Sequence, residues 1–274
     1  MTQDLFDLTD RVVVITGGAG LLGGQHARAI AEKNGVPVLV DIKTQELTQE
    51  TKDIQREFGI DSTFHCGSIC DEQFLVATKE KLIARYGRID GLINNAALNP
   101  KVEAASQNNL TRLEDFPIEN WNRELEVGLT GSFLCSKIFG QAMAERKKGV
   151  ILNISSDLGL IAPDQRIYRQ DGLTDDQQPT KPVTYSVIKH GLIGLTRYLA
   201  TYWADQGVRA NALCPGGVQT DQPEEFVSRL SALIPIGRMA KKDEYKGAVQ
   251  FLCSDASAYM NGACVAIDGG RTCW

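Results

Sequence analysis

In the stretch TYSVIKHG, Tyr185 and Lys189 stand four apart within a helical pattern, so both project from one helix face into the same space. A lysine ammonium beside a phenol stabilises the phenolate and lowers a pKa that is otherwise about 10. Such a tyrosine becomes a usable acid or base at neutral pH. The spacing alone also suits any solvated helix face, so the company it keeps decides. NISS, residues 153–156, closes a strand-like run and puts Ser156 at a strand's carboxyl end, where a doubly wound sheet builds its site.

A second constellation lies near the start. TGGAGLLGG, residues 16–24, follows the apolar run RVVVI and leads into a helical pattern. In such a turn, glycines permit the tight bend, the close approach of a pyrophosphate and the packing of helix on strand, and the helix N-terminus supplies N–H groups and dipole. Gly17, Gly20 and Gly23 take these three places. VPVLVD then sets Asp41 at the next strand end, where a carboxylate accepts from ribose hydroxyls and repels a 2′-phosphate. That favours NAD over NADP as cofactor, although Lys43 two residues on softens the preference. The bland alternative is a tight turn with an incidental Asp41.

The elements that must position these residues alternate. Strand-like runs at 11–17, 36–41, 91–97, 149–156, 208–217 and 263–270 are continuously apolar, as strands buried on both faces are. Helical patterns at 21–34, 71–87, 119–146, 184–204 and 242–254 lie between them, with Gly35 and Gly207 placed as C-terminal stops. Strand alternating with helix predicts an α/β fold: a Rossmann-type doubly wound parallel sheet with right-handed crossovers. A chain of 274 residues with 43% hydrophobic composition can bury one full core, so we expect a single domain over 1–274. One stretch breaks the rhythm. Residues 162–183, APDQRIYRQDGLTDDQQPTKPV, carry three prolines and no helical or strand period, and read as an inserted loop.

Composition removes several classes. A formal charge of −5 without a run of Lys or Arg argues against a nucleic-acid partner. No apolar run approaches the ~20 residues of a membrane span, and the acidic start MTQDLFDLTDR is unlike a signal peptide, which predicts a cytoplasmic protein. Seven cysteines are scattered without a paired CxxC, so reduced structural thiols and no metal site are expected.

With these motifs in view, the chain resembles the short-chain dehydrogenase/reductase (SDR) family along nearly its whole length. TGGAGLLG, NNAA at 94–97, NISS, Tyr185-x3-Lys189, NALCPGGVQT at 211–220, PIGRM at 235–239, FLCSDAS at 251–257 and DGG at 268–270 occur in the family's order. The resemblance implies that Tyr185 exchanges a proton with the substrate oxygen, that Lys189 lowers its pKa and holds the nicotinamide ribose, and that Ser156 hydrogen-bonds the substrate oxygen. It implies a cofactor cleft lined by Leu22, Ser68, Ile69, Asn94, Asn95 and Ala96, with Pro215, Gly216, Val218 and Thr220 seating the nicotinamide amide.

Three departures bear on function. Leu21 stands where single-domain members carry their middle glycine, which resembles the extended branch of epimerases and dehydratases, yet too little chain follows Gly217 for that branch's second domain. Gly128 replaces the family's catalytic Asn, so either a kink there persists with water in place of the amide or the proton relay runs elsewhere. Ser68 stands where an Asp commonly touches the adenine. The insertion enters at the substrate mouth with Arg166, Tyr168, Arg169, Asp171, Asp175 and Asp176, fitting either a lid over a polar ligand, an arginine pairing its anionic group, or a solvated loop. Asn99, Lys101 and Arg112 are further candidates for substrate contact, and His190 reads as a packing or surface residue.

Taken together, an NAD-linked oxidoreductase acting on a secondary alcohol or ketone of a polar small molecule, a sugar or sugar derivative, is expected. The glycine spacing, PGGVQTDQPEEF and the insertion look most similar to a bacterial branch associated with flagellin modification and nonulosonic (legionaminic-type) sugar biosynthesis. The alternatives are an epimerase or dehydratase that retains its cofactor, and a catalytically silent dinucleotide-binding protein. Apolar faces on the helices 119–146 and 184–204, including Leu125, Leu129, Phe133, Leu192, Leu195, Leu199 and Trp203, suggest a homodimer or homotetramer.

Overall fold

Alternation within single strands divides the core into two layers. Val12 and Val14 point to one face of the sheet, Val13 and Ile15 to the other, and all four are at most 2% exposed. The computed structural model describes residues 4–98 and 111–274. Its elements run β1 (Val12–Thr16), α1 (Leu21–Ala31), β2 (Val36–Asp41), α2 (Thr44–Phe58), β3 (Thr63–Cys66), α3 (Glu72–Tyr86) and β4 (Gly91–Asn94). After β4 come α4 (Ile118–Leu125), a π-helical turn (Glu126–Thr130), α5 (Gly131–Glu145), β5 (Gly149–Ile154), α6 (Val183–Tyr202), β6 (Val208–Pro215), α7 (Glu224–Ser231), α8 (Lys246–Cys253) and β7 (Cys264–Ile267).

The seven strands lie in the order β3-β2-β1-β4-β5-β6-β7, and every pairing is parallel. One face carries α3, α5 and α6, whose Leu75, Phe139 and Leu199 pack on Val12 and Val14. The other carries α1, α2 and α8, whose Ile30, Leu47 and Leu252 pack on Val13 and Ile15. This is the expected single-domain, doubly wound α/β fold. Strand order reverses between β1 and β4, so the loops leaving their carboxyl ends diverge and open a crevice.

All six expected strands are present. β3, α2 and α7 were not foreseen: β3 is short and half-polar (TFHC), and α2 and α7 bury only two residues and one residue respectively. The helix expected at 119–146 is continuous but widens into the π turn at 126–130. Gly207 does not stop α6, which ends at Trp203, but with φ +70 it closes the 3-10 turn Ala204–Gln206 that follows. Gly35 is no stop either, since Asn34 takes the left-handed conformation (φ 65), and a Cβ on Gly35 would come 2.6 Å from Ile30 Cγ2. Gly35 is therefore required by close packing, not by the turn.

The segment 162–182 has more structure than its composition predicts, with 3-10 turns at Gln165–Tyr168 and Asp175–Gln177. Ile167 is buried against Leu230, Ile234 and Met239, and the Tyr168 ring lies 5.4 Å from that of Phe226 on α7. An apolar foot thus docks this otherwise polar segment onto the region around α7. No helix among the described residues is long and apolar enough to cross a membrane.

Candidate active site

The turn after β1 is shaped by steric necessity. Gly17 has φ +64, and a Cβ there would come 2.8 Å from Ala96 Cα. A Cβ on Gly23 would overlap the Gly17 carbonyl, whereas one on Gly20 would stand 3.1 Å from that same oxygen. Gly17 and Gly23 are therefore obligatory, and Gly20 is the permissive member. Gly18, not singled out from sequence, also has no room, its Cβ position lying 2.8 Å from Leu39 Cβ. Leu21 opens α1 and is 50% exposed, so replacing the family's middle glycine leaves the turn unstrained. Leu22 packs beside the core behind it.

Asn95 clamps this turn. Its side chain donates to the Thr16 carbonyl at 3.0 Å and the Gly17 carbonyl at 3.2 Å, while the Asn95 and Ala96 N–H groups both donate to Thr16 Oγ1. Asp41 joins from β2, accepting from the Ala19 N–H at 3.1 Å and the Ile42 N–H at 2.7 Å. Ser68 Oγ accepts from the Cys70 N–H, and Ile69 is buried against α5. Asn94, expected in the cleft, faces the interior instead, donating to Asn153 Oδ1 at 2.8 Å and Ser136 Oγ at 3.0 Å. Its position on β4 sends alternate side chains to opposite sides.

Across the crevice, β6 ends at Pro215. The Gly216 N–H donates to the Ile267 carbonyl at 2.9 Å and its own carbonyl accepts from Tyr245, while Val218 pairs with Ala240. The Thr220 N–H donates to Gln222 Oε1 at 2.7 Å. The glycine-shaped turn at a helix N-terminus, with Asp41 at its side, fits a dinucleotide, whose phosphates the backbone from Gly17 to Gly23 would hold and whose ribose Asp41 would hold.

Ser156, Tyr185 and Lys189 come together at the carboxyl end of β5 beside α6. Ser155 Oγ donates to the Lys189 carbonyl at 2.7 Å, and Gly159 leaves no room for a side chain against Lys189, so α6 is seated tightly on this strand end. Lys189 is buried and its ammonium donates to the Ile154 carbonyl at 2.8 Å, 5.6 Å from the centre of the Tyr185 ring. Burial pulls Lys189 down to about 8, helped by repulsion from Lys181. Tyr185 is raised above its ordinary value, first by burial and then by the Asp157 charge, with the Ser156 hydroxyl opposing.

Several participants escaped the sequence reading. Asp157 Oδ1 accepts from Ser156 Oγ at 2.7 Å, and Asp157 Oδ2 accepts from Arg271 at 2.7 Å, both residues of this ion pair being at most 6% exposed. Lys181 places its ammonium 3.8 Å from the centre of the Tyr185 ring. Glu124, buried on α4, accepts from the Thr184 hydroxyl. The only signals in the chain were a carboxylate directly after NISS, an arginine directly after DGG and a lysine one helical turn before Tyr185.

Gly128 sits at the centre of the π turn, so the kink persists without the asparagine. A Cβ at 128 would come 2.7 Å from Ile188 Cγ2, which reserves the position for glycine. The arginines of the inserted segment are engaged locally, Arg166 with Asp164 at 2.7 Å and Arg169 with Asp175, and among the described residues neither is paired across the site. Arg112 donates to the Asp175 carbonyl, while Asn99 and Lys101 lie outside the described residues. His190 is exposed, with Nδ1 2.9 Å from the Ser186 carbonyl.

Residues 11–168 match the short chain dehydrogenase family, and residues 174–272 match the enoyl-(acyl carrier protein) reductase family. The chain is 30% identical over 272 residues to the D-threitol dehydrogenase of Mycolicibacterium smegmatis, covering 97% of this chain and 95% of that one. It is 30% identical over 278 residues to the galactitol 2-dehydrogenase of Rhizobium johnstonii, covering 99% of each. Among solved structures, a gluconate 5-dehydrogenase from Burkholderia cenocepacia in complex with NADP and tartrate superposes with a TM-score of 0.84 at 27% identity, covering 99% of this chain and 98% of that one. With one family matched over more than half of the chain and such relatives along nearly all of it, the protein belongs to the short-chain dehydrogenase/reductase family, whose pyridine-nucleotide site and alcohol oxidoreductase chemistry it shares.

Proposed function

We propose that this protein is an NAD-dependent dehydrogenase that interconverts a secondary alcohol and a ketone on a polyhydroxylated small molecule, a sugar or sugar derivative. The observation that carries the reading is the convergence of Ser156, Tyr185 and Lys189 on the crevice that also holds the glycine turn and Asp41. Threitol and galactitol, named for two relatives, are substrates of that class. The glycine spacing and insertion extend it to sugar derivatives of the flagellin-modification branch.

When bound, the nicotinamide takes up or gives back the hydride. Tyr185 holds the proton: its phenol oxygen receives it from the alcohol, and because burial raises this phenol in the structure, the Lys189 and Lys181 ammonium groups near its ring would have to offset that burial for the phenolate to form. Ser156 has a defined polarity. An Asp157 carboxylate paired with Arg271 can only accept, so Ser156 Oγ donates to it, accepts from the Leu158 N–H at 3.2 Å, and keeps one lone pair for a donor such as a substrate hydroxyl. Lys189, tied to the Ile154 carbonyl, would also hold the nicotinamide ribose. Asp41 supports NAD over NADP by accepting from ribose hydroxyls and repelling a 2′-phosphate.

Exposed Phe133 on α5 and Tyr198 and Tyr202 on α6 support a homodimer or homotetramer, and Leu192, Leu199 and Trp203 belong to the core instead. We place the enzyme in the cytoplasm, with the inserted segment 162–183 as its substrate loop. The test is a screen of alditols, ketoses and sugar derivatives with NAD and with NADP, following absorbance of the reduced nicotinamide. Turnover with NAD on members of this class supports the reading. Activity with NADP alone removes the Asp41 argument, and altered substrate with unchanged total cofactor replaces dehydrogenation by epimerisation or dehydration.

A further inference from the structure

Ser156 has one hydrogen to donate, and it goes to Asp157 Oδ1 at 2.7 Å. Asp157 has none to return: its other oxygen accepts from Arg271 at 2.7 Å, and a carboxylate paired with a guanidinium only accepts. The pair is fixed at both ends. Asp157 opens the 3-10 turn that follows β5, and Arg271 opens the turn Arg271–Cys273, which Asp268 pins by accepting from the Gly270 and Thr272 N–H groups, each at 2.9 Å. Both charged residues are buried, so bulk water does not compete for either partner.

The acceptor side of Ser156 is half filled as well. The Leu158 N–H is shared between Ser156 Oγ at 3.2 Å and Asp157 Oδ1 at 2.8 Å, which leaves one lone pair on Ser156. Ser156 Oγ also stands beside the reacting group, since its hydroxyl is close enough to the Tyr185 phenol to oppose the effect of burial there. In oxidation the proton of the reacting hydroxyl goes to Tyr185. That hydroxyl then has no hydrogen for Ser156, and Ser156 has none for the reacting oxygen. The last lone pair therefore calls for a second donor next to the first.

We infer that the Asp157–Arg271 pair sets substrate choice by holding Ser156 as a pure acceptor, so that the substrate is a vicinal diol whose second hydroxyl donates to Ser156 while the first gives its proton to Tyr185. Asp157 and Arg271 are positioning residues here, acting through Ser156. The inference rests on the dehydrogenase reading above and narrows it to one local pattern of hydroxyls. In the reaction the carbinol C–H leaves as hydride to the oxidised pyridine nucleotide, the hydroxyl proton passes to Tyr185, and the product is an α-hydroxy ketone with its second hydroxyl unchanged.

Small alcohols with one kind of reacting position test it: 2,3-butanediol against 2-butanol and 3-methoxy-2-butanol, and 1,2-cyclohexanediol against cyclohexanol and 2-methoxycyclohexanol, every stereoisomer with NAD and with NADP. The methyl ether keeps the lone pairs of the diol and loses only the donor. In at least one series the diol is expected to exceed both its ether and its mono-alcohol in kcat/KM by about 10- to 100-fold. Exchanging the buried pair for apolar residues, Asp157→Leu with Arg271→Met, strands no charge and frees the Ser156 hydrogen, so the diol-to-ether ratio should fall to within about 3-fold while NADH still binds. Arg271→Lys should keep the preference. An ether or mono-alcohol equal to the diol overturns the inference, as does 3-amino-2-butanol outdoing the diol, or a diol preference that survives the double exchange. If the double variant does not fold, Ser156→Ala decides: its residual activity no longer favours the diol if the inference holds, and still favours it if not. Where no small alcohol is turned over, binding decides: with NADH present, the diol raises the Tm of the wild-type protein more than its ether does, and equal shifts or none overturn the inference. If no alditol of the wider screen is turned over either, the dehydrogenase reading itself fails.

Discussion

On the β1 side of the crevice, Gly17, Gly23 and Asn95 shape a turn of bare backbone from which side chains are mostly excluded. On the β5 side, Ser156, Tyr185 and Lys189 are surrounded by Asp157, Arg271, Lys181 and Glu124, so the work falls to charge. The first half is a steric device, tolerant of what faces solvent, as the exposed Leu21 shows. The second depends on buried charges that come from the strand end, the inserted segment, α4 and the C-terminal turn. A dinucleotide presents the same phosphates to every member of a family, so a fixed backbone suffices, whereas a substrate must be told from its neighbours by placed charge.

The sharpest test of the charged half is Tyr185→Phe, which removes one oxygen and leaves the ring under Lys181. We expect kcat to fall by about 10³-fold or more with NADH binding and Tm retained, and an undiminished rate would end its role as acid and base. Arg271→Met should come next. It strands the Asp157 carboxylate without its ion partner, which costs about 3–5 kcal/mol for a buried pair. Chemical denaturation should show that loss, and Arg271→Lys should recover part of it.

His26 separates the halves by pH. It lies fully buried on α1 behind the glycine turn, and neither ring nitrogen makes a well-formed hydrogen bond among the described residues, the Asn95 side chain being near enough only for a weak one. Burial pulls it down to about 4 from its ordinary 6.5, with the Asn95 side chain opposing. The unfolded chain therefore binds a proton that the folded chain refuses as pH falls from 6.5 towards 4. Stability present above pH 6.5 is lost across that window, by up to about 3 kcal/mol. His26→Leu should flatten the fall in Tm between pH 7 and pH 4.5, and an unchanged slope would show that other groups govern acid unfolding.

The smallest expected effect comes from one arm of a comparison within the steric half. Gly23→Ala should abolish measurable NADH binding, because its Cβ overlaps the Gly17 carbonyl, while Gly20→Ala at 3.1 Å should change the Kd only a few-fold, about 1 kcal/mol. Fluorescence titration of NADH reads both. Equal losses would mean that the turn is not ruled by contact distance.

Much of this was legible in the chain before the fold was known. Continuous Val and Ile runs announced strands buried on both faces, and the Tyr185-x3-Lys189 spacing announced a shared helix face. β3, α2 and α7 were harder because they bury few residues, so their sequences carry little apolar period. Asn94 was misplaced because a strand's alternation can be counted while its phase, which face meets the cleft, cannot.

The sequence by itself determined the parallel α/β architecture, the glycine turn and the acid-base helix, since each rests on periods and spacings within a few residues. Only the tertiary structure decided that Asp157 pairs with Arg271, that Lys181 covers Tyr185 while the neighbouring arginines turn aside, and that Ile188 reserves Gly128 for glycine. The Asp157–Arg271 and Gly128–Ile188 contacts join positions 114 and 60 residues apart, so nothing local records them, and Lys181, four residues before Tyr185, lies ahead of α6, where helical spacing does not fix its side chain.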